Sequence, residues 1–133
     1  MEGAKKKILI VDDDSFLLDM YALKFSQNNF EVYTASSGLQ VLEKLKAGLS
    51  PDLILMDIIM PEMDGFEMLA KMNAEKLSTN SIKIILSNKS QQSDVEQGTS
   101  LGVAGYIVKA SSTPAEVIEQ VIKILDKKNN IKN

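Results

Sequence analysis

Four groups of polar residues stand at the ends of four different apolar runs in this sequence. Asp12 and Asp13 follow the first run, Asp57 follows another, and Ser87 and Lys109 stand at the ends of two more. A carboxylate can attack phosphorus, a lysine can neutralise the phosphoryl oxygens, and a hydroxyl can donate a hydrogen bond to them. These residue types together predict phosphoryl chemistry with Asp57 as the nucleophile.

The three carboxylates also predict a metal site. If the strands that precede Asp12, Asp13 and Asp57 are neighbours, the side chains converge and repel one another unless a cation lies between them. The 133 residues contain no His and no Cys, so the ligands that select zinc or copper are absent. Oxygen ligands alone favour Mg²⁺.

The elements that must position these groups alternate along the chain. Runs rich in Ile, Val and Leu predict strands at 8–11, 32–35, 53–56, 82–86 and 106–108. Apolar residues spaced by three and four predict helices at 15–27, 37–47, 65–74, 91–101 and 114–127. Strands separated by helices run parallel, so we predict an open, doubly wound (βα)5 sheet of the flavodoxin-like order 2-1-3-4-5. Ligands of such sheets bind at the carboxyl ends of the strands, where all four polar groups lie.

Composition fits one globular α/β domain, predicted to span 1–133 with a core of about 6–127. The formal charge is −3, with 44% hydrophobic and 25% charged residues. The chain has no Arg and is mildly acidic, so we expect no nucleic-acid partner. Its apolar runs are too short for a bilayer, and the lack of Cys suits a reducing compartment, so we expect no membrane partner and a cytoplasmic location.

Capping residues mark several helix starts. The sequence Thr113–Glu116 is a capping box with Pro at the first helical position. We predict Ser36 as the cap of the second helix, and a turn or cap role for Asp14 and Asp64.

The fourth helix is weakly encoded. Its only large apolar residues are Val95 and Leu101, and it contains the weak helix formers Gly98, Thr99 and Ser100. We therefore predict that this helix is the loosest of the five.

Four segments resemble bacterial two-component response-regulator receiver domains. They are KILIVDDDS at 7–15, PDLILMD at 51–57, MPEMDG at 60–65 and GYIVK at 105–109. The resemblance covers nearly the whole chain and is closest to stand-alone, chemotaxis-regulator-like receivers.

The resemblance implies a phosphoacceptor switch with a Mg²⁺ cofactor. Asp57 would take a phosphoryl group from the phosphohistidine of a histidine kinase or phosphotransfer protein. Asp13 would bind the metal directly, Asp12 mainly through water, and the backbone carbonyl of Ile59 would be a further ligand.

Three more residues gain roles from the resemblance. Ser87 would move toward the phosphoryl group, Lys109 would pair with it, and Tyr106 would be the aromatic switch. The face of the fourth helix, fifth strand and fifth helix would signal to a downstream protein. Such a domain is a signalling protein and not an enzyme, beyond phosphorylating and dephosphorylating itself.

Departures from the family pattern carry predictions of their own. Ala110 follows the lysine where receivers usually have Pro, often after a cis bond, so we expect this loop to be either trans and rerouted or strained. Asn88 replaces a small residue and is expected to narrow access for the phosphodonor. Ile59 and Lys89 stand where many receivers have polar or acidic groups, which predicts slow self-dephosphorylation.

Two other function classes remain open. A haloacid-dehalogenase-type phosphohydrolase would use Asp12 as nucleophile and Asp14 as acid, but it needs a longer chain and leaves Asp57 unexplained. A phosphorylation-independent interaction module would keep the fold without the chemistry, with Ala110 as its support. A flavodoxin-like cofactor binder is disfavoured because no Gly-rich loop follows the first strand.

Overall fold

The computed structural model describes residues 5–132, with side chains described as far as residue 128. The strands are β1 (Lys6–Val11), β2 (Phe30–Ala35), β3 (Leu53–Met56), β4 (Ile82–Ser87) and β5 (Gly105–Val108). The helices are α1 (Ser15–Gln27), α2 (Gly38–Lys46), α3 (Gly65–Ala74), α4 (Gln92–Ser100) and α5 (Pro114–Lys132), with a 3₁₀ turn at Lys109–Ser111. The predicted domain spans 1–133, and its residues 1–4 and 133 lie outside the described residues.

All strand pairs are parallel, and the sheet order is β2-β1-β3-β4-β5, as predicted. Its register explains where the polar groups meet. Val11 lies opposite Met56, so the residues that follow them, Asp12 and Asp57, leave the sheet side by side at its carboxyl edge.

The core lies on both faces of the sheet, because successive strand residues point to opposite sides. On one face, β-strand residues such as Ile8 and Leu55 pack against α1 and α5. On the other, residues such as Leu9 and Ile54 pack against α2 and α3. The two-sided burial explains why these strands are continuous apolar runs, and it gives the site a rigid base.

The predicted caps are confirmed except at one helix. Asp14 and Asp64 cap α1 and α3, and the capping box of Thr113–Glu116 opens α5. The prediction for α2 was wrong, since Ser37 is the N-cap and accepts from the Gln40 N–H. The Ser36 backbone N–H instead donates to the Gln40 side chain, so the N–H that precedes the cap residue is also hydrogen-bonded.

Some other boundaries lie outside the predicted ones, whereas α2 and α4 are each one residue shorter at both ends. β1 and β2 each start two residues earlier, where Lys6 pairs with Phe30 through the backbone. α5 continues to Lys132. None of the helices in the described part of the chain combines the length and the apolar character that crossing a bilayer requires.

Candidate functional site

Three acidic side chains meet at the carboxyl edge of β1 and β3. The carboxylates of Asp12, Asp13 and Asp57 each offer an oxygen, and these oxygens all lie within 4.8 Å of one another. Asp12 is 3% and Asp57 is 7% exposed, whereas Asp13 is exposed to solvent. The predicted convergence of the three acids is confirmed.

Backbone groups orient the two buried carboxylates. Asp12 Oδ1 accepts from the Asp14 N–H at 2.9 Å, and Asp57 Oδ1 accepts from the Ile59 N–H at 3.2 Å. One oxygen of each acid is thereby fixed, and the second oxygen of each points to the same cation.

That cation is Lys109. Its Nζ donates to Asp12 Oδ2 at 2.7 Å and to Asp57 Oδ2 at 2.8 Å, and its side chain is only 12% exposed. Burial alone would lower the pKa of Lys109, but the hydrogen bonds to the two carboxylates outweigh it, and the pKa is raised above 10.5. Lys109 is therefore a persistent ammonium at neutral pH.

The acids still carry more charge than one ammonium can balance. Burial raises the pKa of Asp12, and this effect exceeds the opposing effect of its hydrogen bond to Lys109. Three carboxylates against one ammonium leave two negative charges, which a divalent cation would neutralise. The donor set contains only oxygen and one acid is open to solvent, which fits Mg²⁺ with water in its remaining positions.

The loop that carries Lys109 takes the rerouted trans form rather than a strained one. No cis peptide bond occurs in residues 5–132, and Lys109–Ser111 forms a single 3₁₀ turn without positive φ. The Ala110 N–H donates to Asn88 Oδ1 at 2.7 Å. Lys109 thus reaches the acids without a proline or a cis bond after it.

Ser87 and Tyr106 both contact the backbone of one residue, Lys89. Ser87 is fully buried, and its Oγ accepts from the Lys89 N–H at 3.2 Å. The Tyr106 hydroxyl donates to the Lys89 carbonyl. Burial, with the negative charges of Asp94 and Asp57, raises the pKa of Tyr106 to about 12, so it stays a hydrogen-bond donor at neutral pH.

A close backbone approach under Asp57 was not predicted from the sequence. The Gly65 N–H donates to the Ile58 carbonyl at 2.8 Å, and a Cβ on Gly65 would lie 2.7 Å from the Asp57 carbonyl oxygen. The sequence indicated only a turn or cap role for Asp64, although a glycine directly after a helix cap could have suggested this contact.

The fold and site define a phosphoaccepting signalling domain, and comparison with known proteins identifies its family. Residues 8–122 match the model of the response regulator receiver domain. The chain belongs to this family. Receiver domains are signalling domains of two-component systems rather than classical enzymes.

The relatives include single-domain and longer proteins. The chain is 38% identical to the chemotaxis protein CheY of Bacillus subtilis over 121 residues, covering 90% of this chain and 98% of CheY. It is 33% identical to the alkaline phosphatase synthesis transcriptional regulatory protein PhoP of the same species over 120 residues, covering 90% of this chain and 48% of PhoP. The chain therefore spans about half the length of PhoP.

A solved structure confirms the architecture. The CheY-like response regulator receiver domain protein of Methanospirillum hungatei superimposes with a TM-score of 0.84 at 28% identity, covering 96% of this chain and 98% of the other.

Nothing in the geometry favours the phosphohydrolase alternative, because the Asp14 carboxylate that it requires as an acid accepts from the Leu17 N–H and caps α1.

Proposed function

We propose that Asp57 is the phosphoacceptor of this chain and that Asp12, Asp13, Asp57 and the Ile59 carbonyl hold Mg²⁺. The observation that carries the proposal is the geometry at Asp57. This residue is nearly buried beside two further acids, and its Oδ2 lies 2.8 Å from the Lys109 ammonium. Mg²⁺, when bound, supplies the positive charge that offsets the phosphoryl oxygens.

The transfer forms one bond and breaks one. An Asp57 carboxylate oxygen attacks phosphorus, and the bond from phosphorus to the imidazole nitrogen of the donor phosphohistidine breaks with its electron pair on that nitrogen. Lys109 leaves its position between Asp12 and Asp57 to pair with a phosphoryl oxygen, so its charge remains compensated throughout.

Ser87 and Tyr106 are proposed to carry the signal outward. The Ser87 hydroxyl accepts from Lys89, which leaves its own proton to donate to a phosphoryl oxygen. A phosphoryl group adds about 1.5 to 2 negative charges and supports one to three new charge-assisted hydrogen bonds. Movement of Ser87 would disturb Lys89, and therefore the hydrogen bond that holds Tyr106.

The weak helix α4 lies between Lys89 and Tyr106 in the chain. Of its residues only Asp94 and Gly98 are buried, and Val95 is 37% exposed, so little packing energy opposes a shift. We propose that phosphorylation changes the α4–β5–α5 face and its affinity for a downstream protein. The proposed donor is a histidine kinase or phosphotransfer protein, and the proposed location is the cytoplasm.

The test is intact-protein mass after incubation with acetyl phosphate and Mg²⁺. We expect one phosphoryl increment that disappears with chelator or in Asp57→Asn, and that persists in Ser111→Ala, an exposed control in the Lys109 loop. No increment under any condition would favour the inert interaction module. An increment that survives Asp57→Asn but is lost in Asp12→Asn would point to the phosphohydrolase alternative.

The same measurement gives the rate of self-dephosphorylation, which we expect to be slow. Ile59 is 56% exposed and offers no polar side chain to position a water molecule. The Lys89 ammonium is engaged elsewhere, 3.6 Å from Asp94 and 5.8 Å from the centre of the Phe66 ring. After removal of the donor, the phosphoryl increment should decay over minutes or longer, and a half-life of seconds would contradict this account.

A further inference from the structure

A single side-chain hydrogen bond joins the two loops that carry Ser87 and Lys109. Asn88 follows Ser87 at the end of β4, Ala110 follows Lys109 at the end of β5, and the Ala110 N–H donates to Asn88 Oδ1 at 2.7 Å. The N–H can only donate, so the oxygen of the carboxamide must face it. The bond requires an acceptor at position 88 and a backbone N–H at position 110.

The bond satisfies a group that the local backbone leaves unpaired. The first N–H groups of a helical turn have no partner within the turn, and Ala110 lies in the single turn of Lys109–Ser111. The other end of the turn is closed by the Ser112 N–H, which donates to the Lys109 carbonyl at 3.2 Å. Asn88 therefore caps this turn from outside and fixes the backbone from which the Lys109 side chain extends.

We propose that Asn88 is a positioning residue for Lys109 in the phosphorylation reaction, an inference that rests on the proposed function. A lysine has a long flexible side chain, and Nζ must reach two carboxylates at 2.7 and 2.8 Å. When the backbone at the start of the side chain is fixed, Lys109 samples fewer conformations. Less entropy is then lost when its ammonium pairs with the phosphoryl oxygens.

If Asn88 acts by positioning Lys109, its loss should affect metal binding and phosphorylation in different ways. In the structure Lys109 donates to one oxygen each of Asp12 and Asp57, two of the acids that are proposed to hold the metal. Loosening Lys109 should therefore leave Mg²⁺ affinity unchanged or increase it, while phosphorylation becomes slower. Loss of fold around the site would instead weaken both.

The experiment compares Asn88→Ala with wild-type protein and with Ser111→Ala. Ser111 is an exposed residue of the same loop whose Oγ makes only a long bond, 3.4 Å, to the Val108 carbonyl. Mg²⁺ Kd is measured by titration, and the phosphorylation rate is measured with acetyl phosphate at saturating Mg²⁺. Amide hydrogen exchange at Ala110 is followed by NMR, with Asn88→Asp as the variant that restores an acceptor oxygen.

For Asn88→Ala we expect phosphorylation to be about fivefold slower, a factor that corresponds to the free energy of one ordinary hydrogen bond. The Kd for Mg²⁺ should be unchanged or lower. Ala110 exchange should accelerate by a similar factor and return toward the wild-type rate in Asn88→Asp. Ser111→Ala should match wild type. Unchanged or faster phosphorylation would overturn the proposal, a faster rate being the result expected if Asn88 only narrows access for the phosphodonor. Unchanged Ala110 exchange, or an equal loss of Mg²⁺ affinity and rate, would also overturn it. Failure of wild-type protein to accept phosphate would overturn the proposed function together with it.

Discussion

Replacing Lys109 with methionine tests how the charges at the site are balanced. The ammonium is the cation that holds Asp12 Oδ2 and Asp57 Oδ2, at 2.7 and 2.8 Å. Methionine keeps most of the apolar length of the side chain but removes the charge. Without Lys109 and without metal, carboxylates within 4.8 Å of one another would have no positive partner in the cluster.

The size of the effect follows from burial. Removing one partner of a buried ion pair costs about 3–5 kcal/mol. The pocket is open on the side of exposed Asp13, and one carboxylate can take up a proton, so we expect a smaller loss of about 2–3 kcal/mol at pH 7. For a chain of this length the loss corresponds to a fall in Tm of about 8–12 °C.

The assay is urea unfolding in chelator and in Mg²⁺, from pH 5 to pH 9. In chelator the deficit of Lys109→Met should be full at pH 7. The raised pKa of Lys109 means that its contribution is present below 10.5 and is lost only as pH rises through the raised value, so the deficit should persist to pH 9. Toward pH 5 the deficit should shrink. Burial raises the pKa of Asp12, and the variant lacks the opposing effect of Lys109, so Asp12 takes up a proton more readily than an Asp of the unfolded chain.

Added Mg²⁺ should stabilise Lys109→Met more than wild type, because no ammonium competes for the oxygens. Lys128→Met, at an exposed position of α5, is the control and should stay within about 0.5 kcal/mol of wild type. If Lys109→Met is as stable as wild type in chelator, or if Mg²⁺ stabilises it less, the proposed charge balance is wrong.

Three further outcomes are expected. Gly65→Ala should lower the free energy of unfolding by about 1–3 kcal/mol, measured by thermal unfolding, and should make phosphorylation slower. The reason is that its Cβ would lie 2.7 Å from the Asp57 carbonyl oxygen. Wild-type stability would contradict the contact. Lys83 is 8% exposed and burial lowers its pKa, so Lys83→Met should lie within about 1 kcal/mol of wild type at pH 7. As pH rises toward 10.5, the wild type should gain stability relative to this variant, because Lys83 binds a proton more fully in the unfolded state than in the folded state. A loss of stability relative to the variant would refute this pH dependence. Amide hydrogens of α4 should exchange faster than those of α5 by NMR, and equal protection would contradict the weak encoding of α4.

The sheet and its order were predictable because the strands carry their own signal. Residues such as Ile54 and Leu55 are buried on opposite faces, so the whole run is apolar and reads as an internal parallel strand. The starts of β1 and β2 were predicted too late, since Lys6 and Phe30 pair through backbone hydrogen bonds that apolar patterning does not record.

The acidic cluster was also predictable, since parallel strands bring their carboxyl ends to one edge. The register of Val11 with Met56 is what places Asp12 beside Asp57, and neighbouring strands were enough to expect it. The two hydrogen bonds of Lys109 confirm that the lysine belongs to this cluster.

The loop contacts were beyond sequence reasoning. Ala110 alone indicated either a rerouted or a strained loop, and only the structure shows that Asn88 accepts its N–H. The two residues are 22 positions apart and are joined by neither a periodic pattern nor a charge pair. The contact of Tyr106 with the Lys89 carbonyl is of the same kind, because any residue at position 89 would offer that carbonyl.

Chemical trapping of the acyl phosphate identifies the phosphorylated residue directly. Protein phosphorylated with acetyl phosphate and Mg²⁺ is reduced with borohydride, which converts a phosphorylated aspartate to homoserine, and peptides are sequenced by mass spectrometry. We expect homoserine at position 57 alone. Homoserine at position 12 or 13, or phosphorylated protein with an intact aspartate at 57, would contradict it.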